Sequence, residues 1–229
     1  MGLVQRALRG CLARWGMPQR LKADNGSPWG SPGELPPPLA LWLVGLGVEV
    51  VWSPPRRPQA NGVVERSHQT AQRWADPAGC RSVEELQERL RREDRVQREE
   101  YPHLAGLSRM EAYPGLAHSG RAYAPERESE VWSWRRVTEH LSHYELTRRV
   151  DCSGKFGLYQ GKEYVGVRLR GRTVVVQFDA GKEQWLITDQ RGAELCRRPL
   201  TQLSEAALRD LPTTPPQPEA RFKARTASA

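Results

Sequence analysis

No apolar run in this 229-residue chain approaches the roughly 18–20 residues needed to span a bilayer, so a helical membrane protein is excluded. The first ten residues carry two arginines but no apolar core followed by a cleavage site, which argues against a secretory leader. A cytoplasmic protein is therefore expected. Cysteine is scarce: Cys11, Cys80, Cys152 and Cys196 lie far apart, with no Cys-x-x-Cys and no His at finger spacing. A zinc site is unsupported, and buried, reduced thiols are expected instead. No internal repeat is present. Acidic residues fall short of basic ones, 27 against 35, leaving a net charge of +8. The excess sits at both ends, around a mildly acidic middle over residues 76–147. Two basic ends suit a polyanion, because Lys and Arg displace counterions from phosphates.

Eight Trp and many Leu and Val are enough to build cores. Leu3, Ala7, Leu8, Cys11, Leu12 and Trp15 recur at helical intervals, and Gly16 and Pro18 end that helix. A short strand over Leu21–Ala23 runs into the turn Asp24-Asn25-Gly26, followed by a Pro- and Gly-rich loop. Leu39–Leu46 reads as a short apolar helix, and alternating Val48, Val50 and Trp52 as a strand stopped by Ser53-Pro54-Pro55. Helices follow from about Gly62 to Trp74 and over Ser82–Glu99. The second opens on a capping box and turns Val83, Leu86, Leu90 and Val96 inward. From Arg148, the short β-type runs Phe156–Tyr159, Glu163–Leu169, Thr173–Phe178 and Trp185–Thr188 are punctuated by glycines at close to ten-residue spacing. That grammar predicts a small all-β barrel, with Trp185 in its core. The expected organisation is a domain over 1–116, a connecting segment 117–147, the barrel 148–203 and a largely disordered tail 204–229.

Two carboxylates stand out by position. Asp24 closes a strand, and Glu65 lies in the first turn of a helix. Carboxylates so placed can converge on one hard divalent cation and leave positions open for phosphate. Each also has a plainer reading. Asp24 in Asp-Asn-Gly caps its own turn, which local evidence favours, and an acid at a helix start is favoured by the helix dipole.

The words around these residues tip the balance. Lys22-Ala23-Asp24-Asn25-Gly26-Ser27, Gly47-Val48-Glu49-Val50, Ser53-Pro54-Pro55 and Pro58-Gln59-Ala60-Asn61-Gly62-Val63-Val64-Glu65-Arg66 occur in that order. Together they resemble the second half of the retroviral-integrase-like catalytic core, whose family includes DDE-type transposases of bacterial insertion sequences. Tyr101-Pro102-His103 through Ala112-Tyr113 is similar to the segment that closes that core. The resemblance implies an α/β fold: a partial RNase H-like core over 1–116, then a small SH3-like barrel. It assigns Asp24 and Glu65 as catalytic residues and ligands of Mg2+ or Mn2+ in metal-dependent DNA integration, in a bacterial cytoplasm.

It also exposes a gap. The family's first aspartate lies on the first strand, well upstream, yet the 23 residues before Asp24 contain neither Asp nor Glu. Strands one to three and that aspartate are therefore expected to be absent, and the chain alone to be inactive. The 40 residues between Asp24 and Glu65 slightly exceed the family's usual interval, a surplus the loop Pro28–Pro38 absorbs.

On the Glu65 helix, Gln69 and Gln72 follow at i+4 and i+7 with His68 beside them, and Arg66 and Arg73 add charge. These residues, with Arg56 and Arg57 in the preceding loop, are expected to contact DNA. So are Arg148, Arg149 and Lys155 of the barrel, with Lys162, Arg168, Arg170 and Arg172 near its turns. The alternatives are a solvated polar helix face and a barrel that serves as a structural or protein-binding module. Expected partners are DNA and either a second copy or a full-length transposase. The competing function is a non-enzymatic DNA-binding remnant, or a modulator of a full-length transposase.

Overall fold

The computed structural model describes residues 1–30, 34–54, 59, 62–159 and 161–213, and the architecture is mixed α/β. Helix α1 (Gly2–Trp15) buries Gly2, Gln5 and Leu12, with Val4 and Leu8 against the core. The expected apolar face is only half right. Leu3, Ala7 and Cys11 line the exposed side, because the helix docks through the row that carries Gln5. Gln5 explains the rotation: its Nε2 donates to the Leu208 carbonyl (2.9 Å), and its Oε1 accepts from the Leu211 amide (3.0 Å). Those partners flank and belong to α8 (Glu205–Arg209), so residues 204–213 are ordered rather than part of a disordered tail. Ser204 caps α8, and Leu208 and Leu211 are buried. The remainder of the expected tail, 214–229, lies outside the described residues.

Strands β1 (Arg20–Ala23) and β2 (Glu49–Trp52) pair in parallel, from Arg20 opposite Glu49 to Ala23 opposite Trp52. Helix α2 (Pro38–Gly45) links them. It is apolar on every side, and Leu39 through Leu43 are fully buried, as such a helix requires. Beyond β2, α3 (Gly62–Ala75) and α4 (Val83–Arg95) pack on each other. Ser82 accepts from the Glu85 amide as expected (3.2 Å). Val83, expected inside, is exposed. A π-helical turn (Val96–Glu100) and α5 (Arg109–Ala112) follow; α5 is capped reciprocally by Ser108 and Glu111.

Short helices α6 (Glu128–Val131) and α7 (Trp134–Leu141) lead into an antiparallel sheet of order β3-β6-β7-β8: Glu145–Arg149, Thr173–Asp179, Gln184–Thr188 and Glu194–Pro199. β4 (Lys155–Leu158) and β5 (Gly161–Tyr164) form a separate hairpin, so no closed barrel forms among the described residues. Sequence periodicity missed β3 and β8, and ran Glu163–Leu169 too far: residues Val167–Leu169 are a 3-10 turn. Trp185 is fully buried, edge-on to Phe178.

One core joins α1, α2, the first sheet, α7 and the second sheet. Trp132 anchors the connecting segment 117–147: its Nε1 donates to the Trp42 carbonyl at 3.0 Å. All four cysteines are free. Contrary to expectation, Cys11 and Cys152 are exposed and Cys80 and Cys196 only partly covered. Among the described residues, no helix is long and apolar enough to cross a membrane.

Candidate functional site

Asp24 follows the last residue of β1, at the carboxyl end of the parallel pair. Its Oδ1 accepts from the Gly26 amide at 3.2 Å, so the turn-capping role is real, and the carboxylate is exposed. The turn is fastened to the neighbouring strand's end. Ser53 N–H donates to the Ala23 carbonyl (2.9 Å), and Asn25 Nδ2 donates to the Ser53 carbonyl (2.8 Å). Trp52 Nε1 donates to the Trp29 carbonyl (2.9 Å), holding the loop over the sheet end. Gly30 packs so closely on Asn25 that an added Cβ would lie 1.8 Å from its carbonyl oxygen. Beside this loop, Asn25, Glu34, Leu35, Trp52 and Tyr144 line a small cavity.

Glu65 occupies the first turn of α3, exposed and without an ion pair among the described residues. At about 100° per residue, Glu65, Gln69 and Gln72 share one face of α3. The opposite face borders a groove lined by Val63, Val64, Arg66, His68, Trp74, Tyr101 and Arg109, among others. The expected DNA-contacting set therefore divides: Arg66 and His68 line the groove, whereas Gln69, Gln72 and Arg73 face open solvent. Helix α3 packs on α4, and among the described residues no hydrogen bond or ion pair joins Asp24 to Glu65. Arg56 and Arg57 lie outside the described residues.

The implied Mg2+ or Mn2+ needs several oxygen ligands. Among the described residues, no three His, Cys, Asp or Glu side chains come together as a metal site. Asp24 and Glu65 alone do not make a complete cage.

The basic residues of the second sheet are not equivalent. Arg148 is committed: its Nη1 lies 2.9 Å from Glu34 Oε2, and its Nε donates to the Gly157 carbonyl. Lys162 pairs with Asp151. That carboxylate is held well below its usual range by the Ser153 hydroxyl, the Lys155 amide and Lys162. Arg149 and Lys155 are exposed and enter no ion pair among the described residues, and the same holds for Arg168, Arg170 and Arg172. Arg149 lies opposite Thr173, and the next residue, Val150, exchanges backbone hydrogen bonds with Gly171 and Arg172 (both 3.0 Å). Arg149 and the 168–172 turn thus form one cationic edge.

Sequence reading missed the most elaborate polar cluster. Glu128 is 4% exposed and bonded to Arg9 through both oxygens (2.7 and 2.8 Å), to Trp42 Nε1 (3.2 Å) and to the Tyr123 hydroxyl. Its members come from three distant segments, around Arg9, Trp42 and 123–128, so no local spacing signals it.

No protein-family model matches the chain.

Proposed function

We propose that this chain is part of a DNA-integration protein of the DDE transposase/integrase class, combining a partial RNase H-like core with an SH3-like unit. Asp24 and Glu65 are two of its catalytic carboxylates. The observation that carries the reading is the βαβ unit of β1, α2 and β2. A carboxylate directly follows its first strand, and a helix with Glu65 in its first turn follows the second. Functional groups of parallel α/β units gather at the carboxyl ends of the strands. Ordered sequence motifs surround both acids, and the cationic edge from Arg149 to Arg172 suits phosphate. Alone, the chain does not transfer strands, because charge stabilisation of phosphoryl transfer needs a complete, preorganised donor set.

The test is retention and cleavage of short duplex DNA by the purified chain with Mg2+ or Mn2+. Retention that falls steeply with salt, without cleavage or joining, is the expected result. Absence of retention at low salt would overturn the DNA reading, and metal-dependent joining would overturn the predicted inactivity.

A second reading, a non-enzymatic DNA-binding modulator of a full-length transposase, is favoured by the exposed cationic edge of Arg149, Arg168, Arg170 and Arg172, which suits phosphate without any metal site. Under it, Asp24→Asn and Glu65→Gln leave every DNA-dependent effect of the chain unchanged.

A further inference from the structure

Residues 62–116 form a helical arm that sends no side chain into the main core. Among them Ala75 is the sole buried hydrophobic residue, and none packs against that core, even in part. Within itself the arm is well fastened. Arg89 donates to the carbonyls of Ala75 (3.3 Å), Asp76 (3.4 Å) and Gly79 (3.2 Å), which pins α4 to the end of α3. The Trp74 and Tyr101 rings meet edge to face, with centroids 5.8 Å apart. Helix α3, with Glu65, therefore moves together with α4.

One corner ties the arm to the body. Trp15, the last residue of α1, is half-buried yet belongs neither to the core nor to the residues packed on it. Its ring instead faces two guanidinium groups, Arg98 of the arm at 3.5 Å and Arg14 at 4.2 Å. Asp94, one helical turn before Arg98, lies 3.8 Å from Arg14 and offsets the repulsion between the two cations. Arg98 also donates to the Leu116 carbonyl (3.0 Å), where the arm ends. The chain then returns at once to the same corner. Ser119 N–H donates to the Trp15 carbonyl (2.9 Å), and Met17 N–H to the Arg121 carbonyl (2.8 Å). Arg98 itself sits in the π-helical turn Val96–Glu100, a rare geometry that gathers at functional places in helices.

We infer that Trp15 and Arg98 are positioning residues: the guanidinium of Arg98 over the Trp15 ring latches the arm to the body, and so sets where Glu65 stands relative to Asp24. An indole face attracts a cation more strongly than any other side-chain ring. The Arg14–Asp94 pair is half exposed and adds little alone, so the ring contact dominates. Asp24 belongs to the body and Glu65 to the arm, and a shift at this corner is carried through α4 and α3 to Glu65. The latch follows from geometry alone. Its bearing on catalysis rests on the reading of Asp24 and Glu65 as carboxylates of one site.

Amide residual dipolar couplings of the full labelled chain, without DNA or metal, test it. In the wild type, couplings from α3 and α4 should fit the same alignment tensor as those from α1 and α2. Trp15→Leu and Arg98→Ala should each raise the population of detached arm about tenfold, so that the arm fits a second, smaller tensor. Trp15→Phe keeps an aromatic face and should retain the single tensor. Arg127→Ala, which breaks an exposed ion pair with Glu130 away from the corner, should change nothing. Trp15 touches no core, so Trp15→Leu leaves both folds intact and decides the matter should Arg98→Ala loosen the arm itself. A shared tensor in Trp15→Leu, or separate tensors already in the wild type, would overturn the inference. So would Trp15→Phe behaving like Trp15→Leu. Should the variants free the arm while Mn2+ reaches neither acid, the latch stands and the reading of Asp24 and Glu65 as one site falls.

Discussion

Arg9 and Glu128, 119 positions apart, meet in a two-pronged ion pair whose carboxylate is almost wholly buried. Burial pushes the Glu128 carboxyl upward, but hydrogen bonds from Arg9, Tyr123 and Trp42 outweigh it, and the pKa lies below the ordinary 4.5. A depressed folded-state pKa adds stability that is complete above the unfolded value and lost as pH falls through the folded one. Thermal melts should therefore lose stability below about pH 4.5. Arg9→Ala, which leaves the buried charge unpaired, should cost about 3–5 kcal/mol at neutral pH. An acid limb that persists unchanged in Glu128→Gln would show that this pair is not its source.

The contact between α2 and Trp132 gives a second expectation. A Cβ on Gly45 would fall 2.2 Å from the Trp132 ring. Gly45→Ala should therefore displace the indole, weaken its bond to Trp42 and destabilise the protein by about 1–3 kcal/mol. Chemical denaturation measures this, and a neutral Gly45→Ala would contradict the close packing.

How much of this could be read from residues alone follows the range of the forces involved. The first βαβ unit was legible because apolar runs and their Gly and Pro stops are local, from Leu21–Ala23 to Trp52. The orientation of α1 was not, since Gln5 is buried through partners more than 200 positions away. The same long reach hid α8 and the Glu128 cluster. β3 escaped notice because Glu145–Arg149 is charged along most of its length, and its order comes from pairing with β6. Asp24 and Glu65 stand out by position, but it is the neighbouring words, rather than any local physical demand, that assign them a role.

The second sheet yields a graded expectation for DNA. Arg149→Ala and Arg170→Ala should each weaken duplex binding and lower the salt slope by about one. Arg148→Ala should change the slope less, because that side chain is already committed to Glu34 and Gly157. Fluorescence anisotropy over a salt series would decide, and equal effects at all three positions would contradict the distinction.

Gln5 offers a check on the chain's closure. Gln5→Ala removes both bonds to the α8 region and should cost about 1–3 kcal/mol, raising amide exchange at Leu208 and Leu211. Unaltered exchange there would mean that Leu208 and Leu211 are held by burial alone.

The proposed convergence of Asp24 and Glu65 on one ion is tested most directly by titrating Mn2+ into the isotopically labelled chain and following amide line broadening. Two carboxylates that reach one ion, however weakly, should broaden Asn25–Gly26 and Val63–Arg66 in the same step, and Asp24→Asn should abolish both effects. Broadening at only one of these segments, or at neither, would contradict the pairing.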